Sequence, residues 1–203
     1  MHQALIGWAS AWAERGWTRG TLADAAVAGG LSLADTAAVA ADPWRALERM
    51  ADAADHAALE SAGTPDSTAT PRDRLFDLIM ARFDALAPAR AAHSRLLGEA
   101  RTAPGLALAM ATLVGRAAAR MAGAAGVPTQ GLGGFARVNA VAAILADTGL
   151  VWLSDDDPDL GQTMRRLDAR LGLAERWAGR TLKIGSEPEL DSVFLEGSSA
   201  AAV

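Results

Sequence analysis

The residues best suited to chemistry in this chain are carboxylates and histidines. Asp155-Asp156-Asp157-Pro158-Asp159 is an acidic run whose oxygens are of the kind that bind hard cations. It lacks the ligand alternation of a calcium loop. A helix start is the stronger reading: Asp157 as cap, Pro158 at the first helical position, Asp159 near the positive end of the dipole. Asp52, His56 and Glu60 recur at successive helical turns, so they share one face, and His93 would complete an imidazole–carboxylate metal set. A solvated charge stripe explains the same spacing and is preferred. The sequence offers no set of nucleophile, base and orienting group, no phosphate-binding glycine loop and no paired catalytic carboxylates. Cysteine is absent, which removes disulfides, thiolate nucleophiles and cysteine-type zinc sites. The expectation is a non-enzyme without catalytic residues, cofactor or metal.

The elements that carry these residues read as helices throughout. Apolar residues make up 51% of the chain, mostly Ala and Leu, which lose little on entering a helix. Tyrosine is absent and β-branched runs are scarce, so a sheet is not expected. Leu5, Trp8, Ala9 and Trp12 mark a first helix that stops at Gly16. Thr21 caps a short helix to Ala28, Gly29-Gly30 turns the chain, and Ser32 caps a third. Asp42-Pro43 opens a fourth, which runs to about Ser61. Ala62 to Thr70 is a loop. Further helices follow over Pro71 to Pro88, Ala89 to Arg101, Pro104 to Gly123, Gly131 to Leu153 and Pro158 to Leu182, about nine in all. The segment from Lys183 onward has no periodicity and reads as a disordered tail.

Net charge is −5, which disfavours general nucleic-acid binding but leaves room for a local basic patch. The start lacks the basic and apolar regions of a signal peptide, and the stretch Val138 to Leu153 is interrupted by Asn139 and Asp147. The expected location is the cytoplasm.

A helix-turn-helix needs a small residue where its helices cross, a glycine of positive φ in the turn, and an apolar residue returning to the core. Ala25-Ala26, Gly30 and Leu31 supply these in order. The run from Gly16-Trp17 through Thr21, Leu22, Ala26 and Gly30-Leu31-Ser32 resembles the opening of TetR-family regulators. The resemblance implies an all-α, TetR-like architecture. Residues 1–50 would form a helix-turn-helix domain, residues 51–182 a ligand-binding and dimerisation domain, and residues 183–203 the tail. It also implies a homodimer, an apolar small-molecule ligand and a DNA partner. The DNA interface would draw on Arg19, Thr21, Ser32, Leu33, Thr36 and Arg45.

The third helix departs from that pattern. It reads Ser32-Leu33-Ala34-Asp35-Thr36-Ala37-Ala38-Val39, without Lys or Arg. Direct readout uses Arg, Lys, Asn or Gln in the major groove, and affinity comes from cations that neutralise phosphates. Thr36 stands where such motifs usually bury a larger apolar residue.

The chain is also similar to the ubiquinone-biosynthesis accessory family, the ninth Coq protein and its bacterial relatives. Three stretches carry this: Gly16-Trp17-Thr18 with the Ala-rich third helix, Arg82-Phe83 through Leu86 to Pro88, and Asp155 to Leu160 followed by Thr163, Leu167 and Arg170. That resemblance implies a lipid- or isoprenoid-binding accessory protein that does not bind DNA. Gly131-Leu132-Gly133-Gly134-Phe135 retains one aromatic where that family has several, and the tail is acidic and broken by Gly and Pro.

An apolar ligand needs an apolar lining. Phe76, Ile79, Met80, Phe83 and Leu106 are candidates, with Met110, Leu113, Met121 and Phe135. For any one of them plain core packing is the commoner role. Val138, Val141, Ile144, Leu145, Leu150 and Leu153 form one apolar stripe, and Leu160, Leu167, Leu171 and Ala174 another. The TetR resemblance assigns Val138, Val141, Leu145, Leu167 and Leu171 to a dimer interface, with Ala142, Ala143 and Ala146 allowing close approach. The regulator ranks ahead of the lipid-binding accessory protein because the helix-turn-helix scaffold is intact.

Overall fold

The computed structural model describes residues 2–16, 20–40, 43–63 and 68–184. Among them are nine α-helices and no strand: α1 His2–Arg15, α2 Leu22–Gly29, α3 Leu33–Ala40, α4 Pro43–Ala62, α5 Pro71–Leu86, α6 Arg90–Ala100, α7 Pro104–Ala124, α8 Gly131–Ser154 and α9 Gly161–Ile184. A 3-10 turn, Ala87–Ala89, joins α5 to α6 around Pro88. Trp17, Thr18, Arg19, Asp42 and the tail from residue 185 lie outside the described residues, and with them the expectations placed there.

Local chemistry sets the ends. Thr21 and Thr70 each form a reciprocal capping box, with Asp24 and Asp73 three residues on. Most boundaries fall within a residue or two of the sequence expectation. The last helix is a correction: it begins at Gly161, not Pro158, and Asp157 is not its cap. The carboxylate of Asp157 instead accepts the N–H groups of Asp159 and Gly161, at 3.0 and 3.2 Å, and closes a turn. Leu160 sits at φ 51°, which breaks helical geometry at that point. Asp155, 1% exposed, accepts from the backbone N–H and hydroxyl of Thr163 at 2.8 and 2.7 Å. These hydrogen bonds hold its carboxyl below the usual range, although burial alone would raise it.

Two apolar clusters build the interior. The first gathers Ala4, Leu5, Trp8 and Trp12 of α1 with Ala25, Ala46, Leu47 and Met50, and also Ala92, Leu96 and Leu106 of α6 and α7. The helix-turn-helix region therefore rests directly on the larger bundle. The second joins Ala54 and Ala58 to Leu75, Ile79, Phe83, Ala117, Met121, Val141, Leu145, Trp152 and Leu167. Its centre is the stacked pair Phe83–Trp152, with ring centroids 5.3 Å apart. Helix α4 contributes to both clusters. At 20 residues it spans about 30 Å.

Helix α8 starts well before the Val138–Leu153 stretch and has 24 residues. By length and composition it is long and apolar enough to cross a membrane. In this fold Val141, Ile144, Leu145 and Trp152 turn one of its faces into the core.

Candidate functional site

The helix-turn-helix is built by close backbone contact. A methyl group at Gly7 would lie 2.5 Å from the Ala25 carbonyl oxygen and 2.6 Å from the Gly29 nitrogen, so α1 and α2 cross only because Gly7 has no side chain. Gly30 takes φ 64° and caps α2, as the turn requires. Ser32 Oγ accepts from the Asp35 N–H at 3.1 Å and donates to its carboxylate at 2.6 Å, which starts α3.

The outward chemistry of this head is sparse. Thr21 donates its backbone N–H and hydroxyl to the Asp24 carboxylate, which holds that carboxyl below its ordinary pKa. Thr36 is fully buried and donates to the Ser32 carbonyl at 3.0 Å. It is therefore unable to meet a base edge, which corrects its expected role as a DNA contact. Leu33, 57% exposed, is the largest side chain that α3 turns outward among the described residues. Arg45 is exposed on the first turn of α4, while Arg15 leans on Asp24 at 3.3 Å.

Behind the head, an ionic network grips α4. Asp55, 2% exposed, receives Arg82 Nε at 2.7 Å and Arg120 Nη1 at 2.7 Å. Arg120 also reaches Asp52 at 2.6 Å, and Arg116 reaches Asp52 and Glu48, each at 3.4 Å. Three carboxylates of α4 are thus held by guanidinium groups from α5 and α7. Asp52 belongs to this network rather than to a stripe with His56, which pairs with Glu60 at 3.2 Å. His93 lies elsewhere, edge-on to Trp152 at 6.1 Å. Sequence reading missed the network, although an Asp inside the Ala-rich run Ala51–Ala58 was a visible signal.

The expected pocket lining is dispersed. Ile79, Phe83 and Met121 lie in the larger core, with Phe76 and Met80 packed against it. Leu106 belongs to the N-terminal cluster, with Met110 and Leu113 against it. Phe135 is 69% exposed, which corrects its place in a lining. Two apolar clefts open elsewhere, and none of those nine residues lines either. One is a groove of about 920 Å³ between α8 and α9, bordered by Ala136, Ala143, Asp147, Arg170, Leu173 and Trp177. The other, of about 240 Å³, lies between the start of α5, α8 and α9.

The expected dimer residues also move. Val141, Leu145, Leu167 and Leu171 are 5% exposed or less within one protomer, and Val138 packs half-buried against the same core. The four buried side chains leave little surface for a second chain, whereas Val138 keeps part of its own. Periodicity finds an apolar stripe but not which body covers it. The apolar surface of these two helices is a different set: Leu132, Phe135, Leu150, Leu173 and Trp177, each at least 43% exposed.

No protein-family model matches the chain, and no curated protein sequence does. Solved structures do. The crystal structure of the TetR transcriptional regulator from Nitrosomonas europaea superposes with a TM-score of 0.68 at 20% identity, covering 87% of this chain and 98% of that one. The fold is TetR-like. A putative TetR-family transcriptional regulator from Rhodococcus sp. is similar at a TM-score of 0.56 and 20% identity, covering 86% of this chain and 96% of that one. The likeness to the ubiquinone-accessory family found no counterpart in these comparisons.

Proposed function

We propose that the chain is a homodimeric, ligand-responsive transcriptional regulator of the cytoplasm, with no enzymatic activity. The observation that carries this reading is α4, whose N-terminal half packs in the helix-turn-helix cluster and whose C-terminal half packs in the larger core. Its carboxylates are clamped by Arg82, Arg116 and Arg120. A ligand that moves α5 or α7 would move α4 with them and so change the spacing of the two heads in a dimer. The intact α2–turn–α3 geometry supports a DNA-directed head, and TetR-like neighbours support the fold in which such heads work. In the dimer, the second copy covers the α8–α9 groove, where Leu173 and Trp177 stand exposed.

A second reading, a lipid- or isoprenoid-binding accessory protein without DNA affinity, is favoured by one observation. Among the described side chains of α3, those turned outward are Leu33, Ala34, Asp35 and Ala38, with no cation among them. Fluorescence anisotropy of the purified protein on a duplex covering its own upstream region separates the two. Saturable, salt-sensitive binding that exceeds a scrambled duplex is the expected result. Equal, weak binding to both duplexes removes the autoregulator and leaves the accessory protein.

A further inference from the structure

We propose that the cleft between the start of α5, α8 and α9 binds a small amphipathic monocarboxylic acid, with its carboxylate on Arg137. The inference deepens the ligand-responsive reading above, on which it rests, by naming the class of ligand. The cleft holds about 240 Å³. That is below the roughly 300 Å³ at which pockets for drug-sized molecules begin, so the occupant is small. Its floor is apolar: Leu75, Val127, Val141, Ile144 and Leu171, of which all but Val127 are at most 7% exposed. Such a floor takes a hydrocarbon chain and leaves no polar group of a ligand tail satisfied.

The rim supplies the charge. Arg72 and Glu175 border the cleft, but Arg72 is already engaged, with Asp168 at 2.6 Å and Glu175 at 3.9 Å. Arg137 is different. It makes no ion pair among the described residues, and its Nη1 donates only to the Pro128 carbonyl at a long 3.4 Å. A guanidinium stays charged at any physiological pH and presents a planar fork that fits a carboxylate through two hydrogen bonds. An acid seated here would give Arg137 its missing counter-charge while its tail covers the apolar floor. A cationic amphiphile would face two guanidiniums. A dianion would meet Glu175 across the narrow cleft, so one negative charge is the fitting number. The cleft shares Arg137, Ala140, Ile144 and Ala174 with the α8–α9 groove, so in the proposed dimer the second copy borders the cleft and the bound acid lies at the seam between copies.

The test is isothermal titration calorimetry of the full chain with octanoate, octanol and octylamine, in the absence of DNA. Octanoate is expected to bind saturably, with octanol and octylamine weaker by about tenfold or more. Arg137→Ala should weaken octanoate by about tenfold, with Arg137→Lys in between. Ala140→Leu, which fills the cleft and keeps Arg137, should abolish binding, with circular dichroism confirming the fold of each variant. Absence of octanoate binding, equal binding of octanol, or octanoate affinity indifferent to both substitutions would overturn the proposal. So would an Arg137→Ala protein that changes its sedimentation but not its octanoate affinity, because Arg137 would then serve contact between copies. Lost octanoate binding with duplex binding retained removes this site alone. Lost duplex binding with octanoate retained removes the regulator alone.

Discussion

Arg82 Nε donates to Asp55 Oδ1 at 2.7 Å, in a pair whose side chains are 9% and 3% exposed. It links α5 to the helix that reaches the helix-turn-helix head. Removing one partner leaves the other charge buried, which costs far more than removing both. Asp55→Ala should destabilise the protein by about 3 kcal/mol in urea denaturation. The double variant Asp55→Leu, Arg82→Met should recover much of that loss. A double variant that costs the sum of the two single variants would show that the pair is not coupled.

Gly7 is the closest approach of α1 to α2. Gly7→Ala places a methyl group 2.5 Å from the Ala25 carbonyl oxygen, and only a backbone shift can relieve it. The expected cost is about 1–3 kcal/mol, read as a lowered thermal midpoint. An unchanged midpoint would mean that the two helices separate without penalty.

The His93 Nδ1–H donates to the Ala89 carbonyl at 2.9 Å. Burial pushes the imidazole pKa below its ordinary value, the Ala89 bond opposes this, and the Arg82 charge adds to the lowering. The folded state therefore resists a proton that the unfolded chain accepts near pH 6.5. The stability this contributes is complete above about pH 6.5 and is lost progressively as pH falls from there toward the folded pKa. Denaturation midpoints measured from pH 7.5 to 5 should decline, and His93→Gln should flatten that limb. An identical decline in the variant would assign it to other groups.

Thr36 is buried, and its hydroxyl is bonded within its own helix. Thr36→Val should alter stability by about 1 kcal/mol and leave duplex affinity unchanged. A selective loss of duplex binding at unchanged stability would return Thr36 to the interface.

Leu173 and Trp177 stand exposed beside the α8–α9 groove. Paired substitution to Asp should convert a dimer to monomer in sedimentation equilibrium while preserving helix content. A variant that remains dimeric would move the contact to another face.

The amino-acid sequence by itself determined the helices and the turn of the head. Capping pairs such as Thr21 with Asp24, the glycine at position 30 and the Ala/Leu periodicity act over a few residues, so their physics is written locally. The tertiary structure decided everything that depends on which surface meets which. The stripe Val141, Leu145, Leu167 and Leu171 has the period of an interface, yet it lies inside one protomer, because α5 and α7 cover it first. Leu106, Met110 and Leu113 share an apolar helix with Met121 but pack against the head, since α7 is long enough to serve both clusters. The clamp on Asp55 joins residues 27 and 65 positions away, a distance over which helical spacing carries no information. Arg137 shows the same division. Its charge is evident in the sequence, but that no carboxylate among the described residues pairs with it follows only from the packing of α8 against α9 and the start of α5.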